Sequence, residues 1–149
     1  MRLMFTRRHM LALSALAVAV PARANALPPA LQEAMTAFSG GTTWRQGRVT
    51  LDIAPLVENG NAVPVMVRVQ SAMTPADHVR AIAVFTERNP QPDVAVFHLV
   101  PHAGKAEVAT RMRLATTQHV WALARMGDES VWAQRVEVIV TLASCIEGD

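Results

Sequence analysis

Valine stands at every second position from Val63 to Val69, and this alternation is the feature that most limits how the chain can fold. Successive side chains of a β-strand point to opposite faces, so a period of two predicts a strand with one buried face. The same alternation occurs at Val49, Leu51 and Ile53. Further apolar segments of strand length, separated by turn-forming residues, span 79–85, 94–100, 106–114, 118–126 and 136–142. The body of the chain is therefore predicted to contain about seven short strands.

A single helix is predicted ahead of the strands. Two prolines precede the run from Ala30 to Phe38, which places Leu31 and Met35 on one face, and the glycine pair that begins at Gly40 ends it. A parallel sheet would require crossover helices between its strands, and none is predicted. The expected fold is all-β: an immunoglobulin-like antiparallel β-sandwich of about seven strands, preceded by a short N-terminal helix.

Residues 1–26 have the layout of an export signal, with a charged start, an apolar stretch and a small-residue end. Spanning a bilayer takes about 20 apolar residues, and this stretch is shorter, so we expect a removable leader. Arg7 and Arg8 precede an Ala-rich apolar core, which resembles the twin-arginine signal of proteins exported already folded. An ordinary Sec signal that contains two arginines is the alternative. Cleavage can follow Ala24 or Ala26, and the expected location is the periplasm.

The basic charge of the chain is confined to this leader. Of the 14 basic residues, four arginines precede residue 27, where no acidic residue occurs, so the ten that remain face 12 acidic residues. No charge-based case for binding nucleic acid is left. A charged fraction of only 17% excludes a disordered tail protein and favours an apolar face that a partner covers.

The chain has one cysteine, Cys145, which is the fifth residue from its carboxyl end. An intramolecular disulfide is therefore impossible. Because an unpaired thiol is a liability in an oxidising compartment, its presence in an exported protein points to a function. We expect residues 27–142 to form the sandwich and residues 143–149 to form a flexible C-terminal arm that carries Cys145.

Several segments of the body resemble one protein family, in sequence and in order. They are Thr50-Leu51-Asp52-Ile53-Ala54-Pro55, Glu58-Asn59-Gly60, Val63-Pro64-Val65, Asn89-Pro90, Val94-Ala95-Val96-Phe97-His98-Leu99, Gly104-Lys105-Ala106 and the run 110–118. With the leader and the C-terminal cysteine, they make the chain similar to SoxY, the sulfur-carrying subunit of the periplasmic thiosulfate-oxidation system. The resemblance implies a sandwich that forms a heterodimer with a second sandwich, SoxZ. It also implies a carrier without enzymatic activity or cofactor, whose cysteine holds sulfur intermediates covalently while partner enzymes act on them.

The resemblance is weakest at the arm. SoxY ends in Gly-Gly-Cys-Gly-Gly, whereas this chain ends in Ala143-Ser144-Cys145-Ile146-Glu147-Gly148-Asp149, which is similar to a SoxY-related subgroup with an Ala-Ala-Cys-Ile-Glu arm. Glycine permits many backbone conformations. Ala143 and Ser144 therefore restrict the arm, and Ile146 adds a branched side chain beside the sulfur. The fit to thiosulfate-system enzymes, and with it the cargo, stays open.

Other kinds of site have less support in the sequence. His98 and His102 are four residues apart but have no third ligand, so no metal site is predicted, and His98 is expected to be a structural residue whose ring is satisfied within the fold. A blue-copper site has a histidine and a methionine after its cysteine, and neither follows Cys145; the methionines are expected in the core. No G-x-S-x-G motif occurs, and nothing places a histidine beside Cys145, so no hydrolase is predicted. The remaining alternative is an interaction module whose cysteine forms a disulfide with a second chain.

The carboxylates that follow Cys145 give a testable expectation. Glu147, Asp149 and the terminal carboxylate disfavour the thiolate, so Glu147→Gln with Asp149→Asn should speed alkylation of Cys145 at neutral pH. One unit charge at 4 Å contributes about 1 kcal/mol in water, so we expect a several-fold effect at low ionic strength that shrinks in added salt. Cys145→Ser should abolish labelling. Equal alkylation rates would contradict this electrostatic effect.

Overall fold

The computed structural model describes residues 26–142, which contain one helix and nine strands. Helix α1 spans Pro29–Ser39. The strands are β1 (Trp44–Arg45), β2 (Val49–Asp52), β3 (Leu56–Asn59), β4 (Val63–Val69), β5 (Val79–Thr86), β6 (Asp93–His98), β7 (Glu107–Met112), β8 (Gln118–Met126) and β9 (Val131–Leu142). Each segment predicted as a strand forms one, and the helix begins and ends one residue outside its predicted limits.

The strands form two sheets, which confirms the sandwich. The larger sheet has the order β1-β9-β8-β5-β6, with β3 also paired to β9, and the smaller has the order β2-β4-β7. All pairs are antiparallel except that β1 and β3 run parallel to β9, along its first and last parts respectively. Strand β9 is therefore held on one side by β8 and on the other by two short strands in succession.

The described part of the chain has two strands more than the expected seven. Strand β1 is only two residues long, and β3 includes Glu58 and Asn59, which the sequence predicts as part of a turn. Neither strand shows alternation of buried and exposed residues over a useful length. Their strand character comes from pairing with β9, so no local pattern marks them.

The main core lies between the two sheets. The inward faces of β2 and β4 contribute Val49, Leu51 and the four alternating valines from Val63 to Val69, as their spacing predicts. The facing strands contribute Ile82 and Val120 among others, all with almost no solvent exposure. Burial of each such side chain stabilises the fold by about 1.5–3 kcal/mol.

A second core lies on the outer face of the large sheet, beneath helix α1. Leu31 and Met35 of the helix pack on Phe85, Trp121 and Leu123 of the sheet. Trp121 thus lies on the face opposite Val120. Both faces of the central strands β5 and β8 are covered, and their sequences are therefore nearly continuous apolar runs. Gly40 ends the helix in a left-handed conformation with φ 64°.

Four of the five methionines beyond the leader are buried, which confirms their predicted place in the core. They are Met35, Met73, Met112 and Met126. Met66 is the exception. It lies half-buried on the outer face of the small sheet, where it lines an open groove with Pro64 and Ala109.

The loop between β4 and β5 is organised by Asp77. Its carboxylate accepts hydrogen bonds from the Arg48 guanidinium, at 2.8 Å, and from the Ala72 backbone N–H, at 3.2 Å. Its backbone carbonyl accepts hydrogen bonds from the Thr74 N–H and the Ser71 hydroxyl. The Arg48 hydrogen bond, followed by that from Ala72, lowers the pKa of Asp77 below its ordinary 3.8.

This lowered pKa predicts a pH-dependent contribution to stability. The stabilisation is present above the unfolded-state pKa and is lost as the pH falls through the lower folded-state pKa. Asp77→Asn should therefore lower Tm slightly at pH 7, and the difference from the unmodified protein should close below about pH 4. Thermal unfolding across pH measures this, with exposed Glu33→Gln as the control. A Tm difference that is constant with pH would show that the charge of Asp77 has no part in it.

Candidate functional site

Most residues that the sequence singles out as functional lie outside the described residues. These are Arg7 and Arg8 in the leader, and Ala143, Ser144, Cys145, Ile146, Glu147 and Gly148 in the arm. The described chain ends at Leu142, three residues before Cys145. The part of the candidate site that the structure describes is the end of β9. We call residues 140–142, together with the groups that hold them, the arm root.

Strand β3 holds the arm root from one side. Val57 pairs with Val140, and Asn59 pairs with Leu142 in a parallel ladder. The Gly60 N–H donates to the Leu142 carbonyl at 3.2 Å, so the final described residue is still hydrogen-bonded. The Thr141 hydroxyl adds a hydrogen bond to the Glu58 carbonyl at 3.3 Å. The backbone of β9 is thus fixed up to the point where the arm begins.

Thr117 holds the arm root from the other side. Strand β8 begins at Gln118, whose partner in the ladder is Val138, so β8 supplies no paired residue to Val140. The Thr117 hydroxyl takes its place. Its Oγ1 accepts a hydrogen bond from the Val140 N–H at 3.0 Å and lies 3.5 Å from the Val140 carbonyl oxygen, to which it donates. A side chain thereby extends the ladder by one pair beyond the end of β8.

Gly60 connects the arm root to the rest of the fold. Its carbonyl accepts a hydrogen bond from the Leu114 N–H at 2.8 Å, while its own N–H holds Leu142. A Cβ atom at this position would lie 2.2 Å from the Leu114 carbonyl oxygen, and Leu114 is fully buried. Only glycine permits this close approach of two backbones.

The surface around the arm root is apolar and acidic. Leu56 and Ile139 are cross-strand neighbours with exposed fractions of 58% and 49%, and Leu142 is 67% exposed. On β9, Glu137 and Ile139 alternate with residues that point to the core, so both side chains face outward. The exposed Glu58 belongs to the adjoining strand. Three residues of extended chain span about 10 Å, which bounds the distance from Leu142 to Cys145.

Each of the four histidines in the described chain lies away from the arm root. His119 is level with Glu137, five residues before Leu142, and its Nδ1 is 2.7 Å from a carboxylate oxygen of Glu87. His78 lies against Gly127 at the opposite end of β8. His98 is exposed on β6, and its ring has no described hydrogen bond, contrary to the expectation that it would be satisfied within the fold. His102 lies in the following loop.

Residues 26–142 contain no group of three or more histidine, cysteine or acidic side chains that could hold a metal ion. His98 is on the exposed edge of the large sheet, separated from His102 by a turn. In the same part of the chain, no helix has the length and hydropathy needed to cross a membrane.

Sequence reasoning missed Thr117 and Gly60. The pair Thr116-Thr117 and the pair Asn59-Gly60 were both interpreted as turns between strands, which is where such residues are common. Gly60 acts beside the parallel pair of β3 and β9, and Thr117 acts on Val140 beyond the end of β8; both contacts join residues that are far apart in the sequence. The available signal was the apolar pair Leu56-Val57, which is separated from the Asn-Gly pair only by Glu58.

The described chain is a small β-sandwich whose last strand is hydrogen-bonded as far as Leu142, three residues before the single cysteine of the sequence. The family model for "Sulfur oxidation protein SoxY" matches residues 35–145, and the chain therefore belongs to the SoxY family. It is a sulfur carrier subunit of the sulfur-oxidation system and not an enzyme.

Solved structures agree with this assignment. The sulfur carrier protein SoxY from Chlorobium limicola f thiosulfatophilum is 29% identical, with 75% of this chain and 96% of that chain covered and a TM-score of 0.64. A superoxide reductase (neelaredoxin) from Ignicoccus hospitalis is 17% identical, with 63% and 80% covered and a TM-score of 0.56. A superoxide reductase from Nanoarchaeum equitans is 12% identical, with 65% and 97% covered and a TM-score of 0.53. The reductases share the fold alone. No curated protein matches the chain.

The hydrogen bonds of Thr117 predict how firmly the arm root is held. Thr117→Val keeps the side-chain shape but leaves the half-buried Val140 N–H without its acceptor, which costs about 1–3 kcal/mol. Amide hydrogen exchange at Val140 should therefore become roughly tenfold faster or more, while exchange in β5 stays unchanged. Thr50→Val, on the exposed face of β2, is the matched control. Unchanged exchange at Val140 would show that the hydroxyl does not anchor the arm.

Proposed function

We propose that Cys145 is the covalent attachment point for the sulfur cargo and that residues 143–149 act as the carrier arm. The observation that carries this proposal is the anchoring of β9 as far as Leu142, three residues before the thiol, in a chain of the SoxY family. The sandwich then serves as the handle, and the arm brings Cys145 into the active sites of partner enzymes. Ala143, Ser144, Ile146, Glu147 and Gly148 are the residues that these enzymes contact.

Electron balance explains why such a carrier requires an enzyme to load it. Joining thiosulfate to the Cys145 thiolate forms an S–S bond and releases two electrons, according to RS⁻ + S₂O₃²⁻ → RS–S–SO₃⁻ + 2 e⁻. An electron-accepting enzyme of the pathway must take up these electrons. The family role as a carrier subunit supports this division of labour.

Charge favours an enzyme cleft with a basic entrance. Glu147 and Asp149 follow the thiol in sequence, and Glu58 and Glu137 are exposed on the two strands that lead to the arm. These carboxylates repel a free anion such as thiosulfate in solution. A basic cleft neutralises them when the arm enters, so the enzyme gains selectivity for this arm and the unassisted reaction is suppressed.

We place the protein in the periplasm, exported by the twin-arginine route. The support is Arg7-Arg8 before an Ala-rich stretch, with cleavage after Ala24 or Ala26. The mature chain then consists of the sandwich, residues 27–142, and the arm, residues 143–149. The partner is a SoxZ-like β-sandwich, in keeping with the exposed apolar side chains that the isolated sandwich retains.

Intact mass spectrometry of the protein purified from its native host tests the carrier role. We expect adducts of sulfur, sulfite or thiosulfate size that localise to Cys145 and are removed by thiol reductants. Cys145→Ser should carry no adduct while keeping the Tm of the unmodified protein, since the arm lies beyond the last anchored residue of the sandwich. A reducible covalent dimer without any adduct would contradict the carrier role and support an intermolecular disulfide instead.

A further inference from the structure

Strand β6 is the open edge of the large sheet. It pairs with β5 on one side, and within residues 26–142 no strand pairs with its other side. The Leu99 N–H donates to the Arg80 carbonyl at 2.9 Å, which places the hydrogen-bonding groups of Phe97 toward β5 as well. In an antiparallel pair, the intervening residues direct both backbone groups away. Val96 and His98 therefore point their N–H and C=O groups outward.

This edge lacks the features by which other edges avoid pairing. Natural edge strands are kept short, charged or irregular. The opposite edge of the large sheet consists of β1 and β3, two and four residues long, and β7 at the edge of the small sheet carries Glu107 and Arg111. A register shift relative to β5 occurs only at the start of β6. From Ala95 to Val100 the chain has no charged residue, apart from His98 when protonated.

A groove of about 520 Å³ runs beside this edge, between β6 and α1. Its floor is apolar and includes Phe38, Phe85 and Val96, and Val96 is 47% exposed. The helix borders the groove with alanine side chains, which leave room for an incoming element. Two carboxylates, Glu33 and Asp93, lie on its rim, both exposed.

We propose that β6 is the edge to which the second β-sandwich of the heterodimer adds a strand, with basic residues of that partner facing Glu33 and Asp93. The proposal rests on the SoxZ-like partner proposed above and assigns the surface that binds it. Backbone groups of Val96 and His98 recognise an extended strand, because only a strand offers donors and acceptors at the same spacing. The partner's apolar side chains fill the groove beside Val96.

The rim charges select a different chain over a second copy of this one. Two copies paired through β6 about a two-fold axis near Phe97 would place Asp93 of each copy opposite Pro101 of the other, in the segment 94–101 that contains no lysine or arginine. A second copy therefore offers Glu33 and Asp93 no opposite charge from its β6 strand, whereas a partner with lysine or arginine facing them is attracted. The occupant is therefore a sandwich with a basic edge.

Hydrogen exchange of the complex with the SoxZ subunit of the same sulfur-oxidation system tests the assignment directly. On complex formation, the amides of Val96 and His98 should become at least tenfold more protected. The amides of Phe97 and Leu99, already bonded to β5, should change little. Protection that appears elsewhere and leaves Val96 and His98 unchanged would overturn the proposal.

Paired variants test the apolar part of the contact. Val96→Lys should raise the Kd for the SoxZ subunit at least tenfold, whereas Ile139→Lys, at a position of similar exposure on β9, should leave it within twofold. Circular dichroism and thermal unfolding check that both variants fold. If Val96→Lys does not fold, the rim variants below and the exchange measurement decide. Binding of a folded Val96→Lys variant with unchanged Kd would overturn the edge assignment and leave the heterodimer intact. A failure of the unmodified chain to bind the SoxZ subunit would overturn both.

Neutralising the rim tests whether charge complementarity selects the partner. Glu33→Gln with Asp93→Asn should weaken the complex with the SoxZ subunit several-fold at low salt, and the difference should vanish at high salt. Glu137→Gln, an exposed carboxylate on β9, is the control. If the neutral rim leaves the complex with the SoxZ subunit unchanged, and Val96→Lys instead abolishes self-association measured by sedimentation, the edge belongs to a second copy and the proposal is wrong.

Discussion

Strand β9 is held by hydrogen bonds on both sides, and the remaining architecture follows from this constraint. Strand β8 runs beside it from Gln118 onward, while β1 and then β3 take the other side. The first part of β9 lies beneath helix α1, where Val131 and Ala133 are buried, and the second part contributes Val138 to the core between the sheets. One strand thus joins both cores and ends at the arm root. Because each part has a different set of partners, a local disturbance near Leu142 need not reach the helix.

The parts of the fold that could be predicted are those with a local pattern and one buried face. Alternation located β2 and β4, whereas the apolar run of β8 gave its position but not its two covered faces, one toward each core. Strands β1 and β3 could not be predicted, because they are short and become strands only through parallel pairing with β9. The predicted extent of β9 was also too short at its start. It begins at Val131, but Gln134 and Arg135 interrupt the apolar pattern before Val136 and separate the first part of the strand from the rest in the sequence.

The candidate site also has one part that the sequence predicts and one part that it does not. A single cysteine near the chain end was evident from the sequence, since counting thiols needs no structure. The groups that hold the arm root were not, because Thr117 and Gly60 act through backbone contacts with residues far away in sequence, at Val140 and Leu142. His98 shows the opposite error. Its position on an alternating strand predicted that the imidazole ring is satisfied within the fold. Strand β6 lies at the edge of its sheet, however, and the side chain of His98 is exposed.

Anchoring at Leu142 also determines how far a thiol at position 145 can travel. With the arm root intact, three residues give a reach of about 10 Å. If the contacts of Thr117 and Gly60 were lost and β9 frayed back to Val138, four more residues would add roughly 13 Å. A longer arm reaches deeper, but its free end samples a larger volume, and the entropy lost on entering a narrow cleft increases accordingly. For the carrier function that we propose, a firmly held root therefore favours a short arm that enters an enzyme cleft at low entropic cost. This matters here because Ala143 and Ser144, unlike glycines, already restrict the backbone next to Cys145.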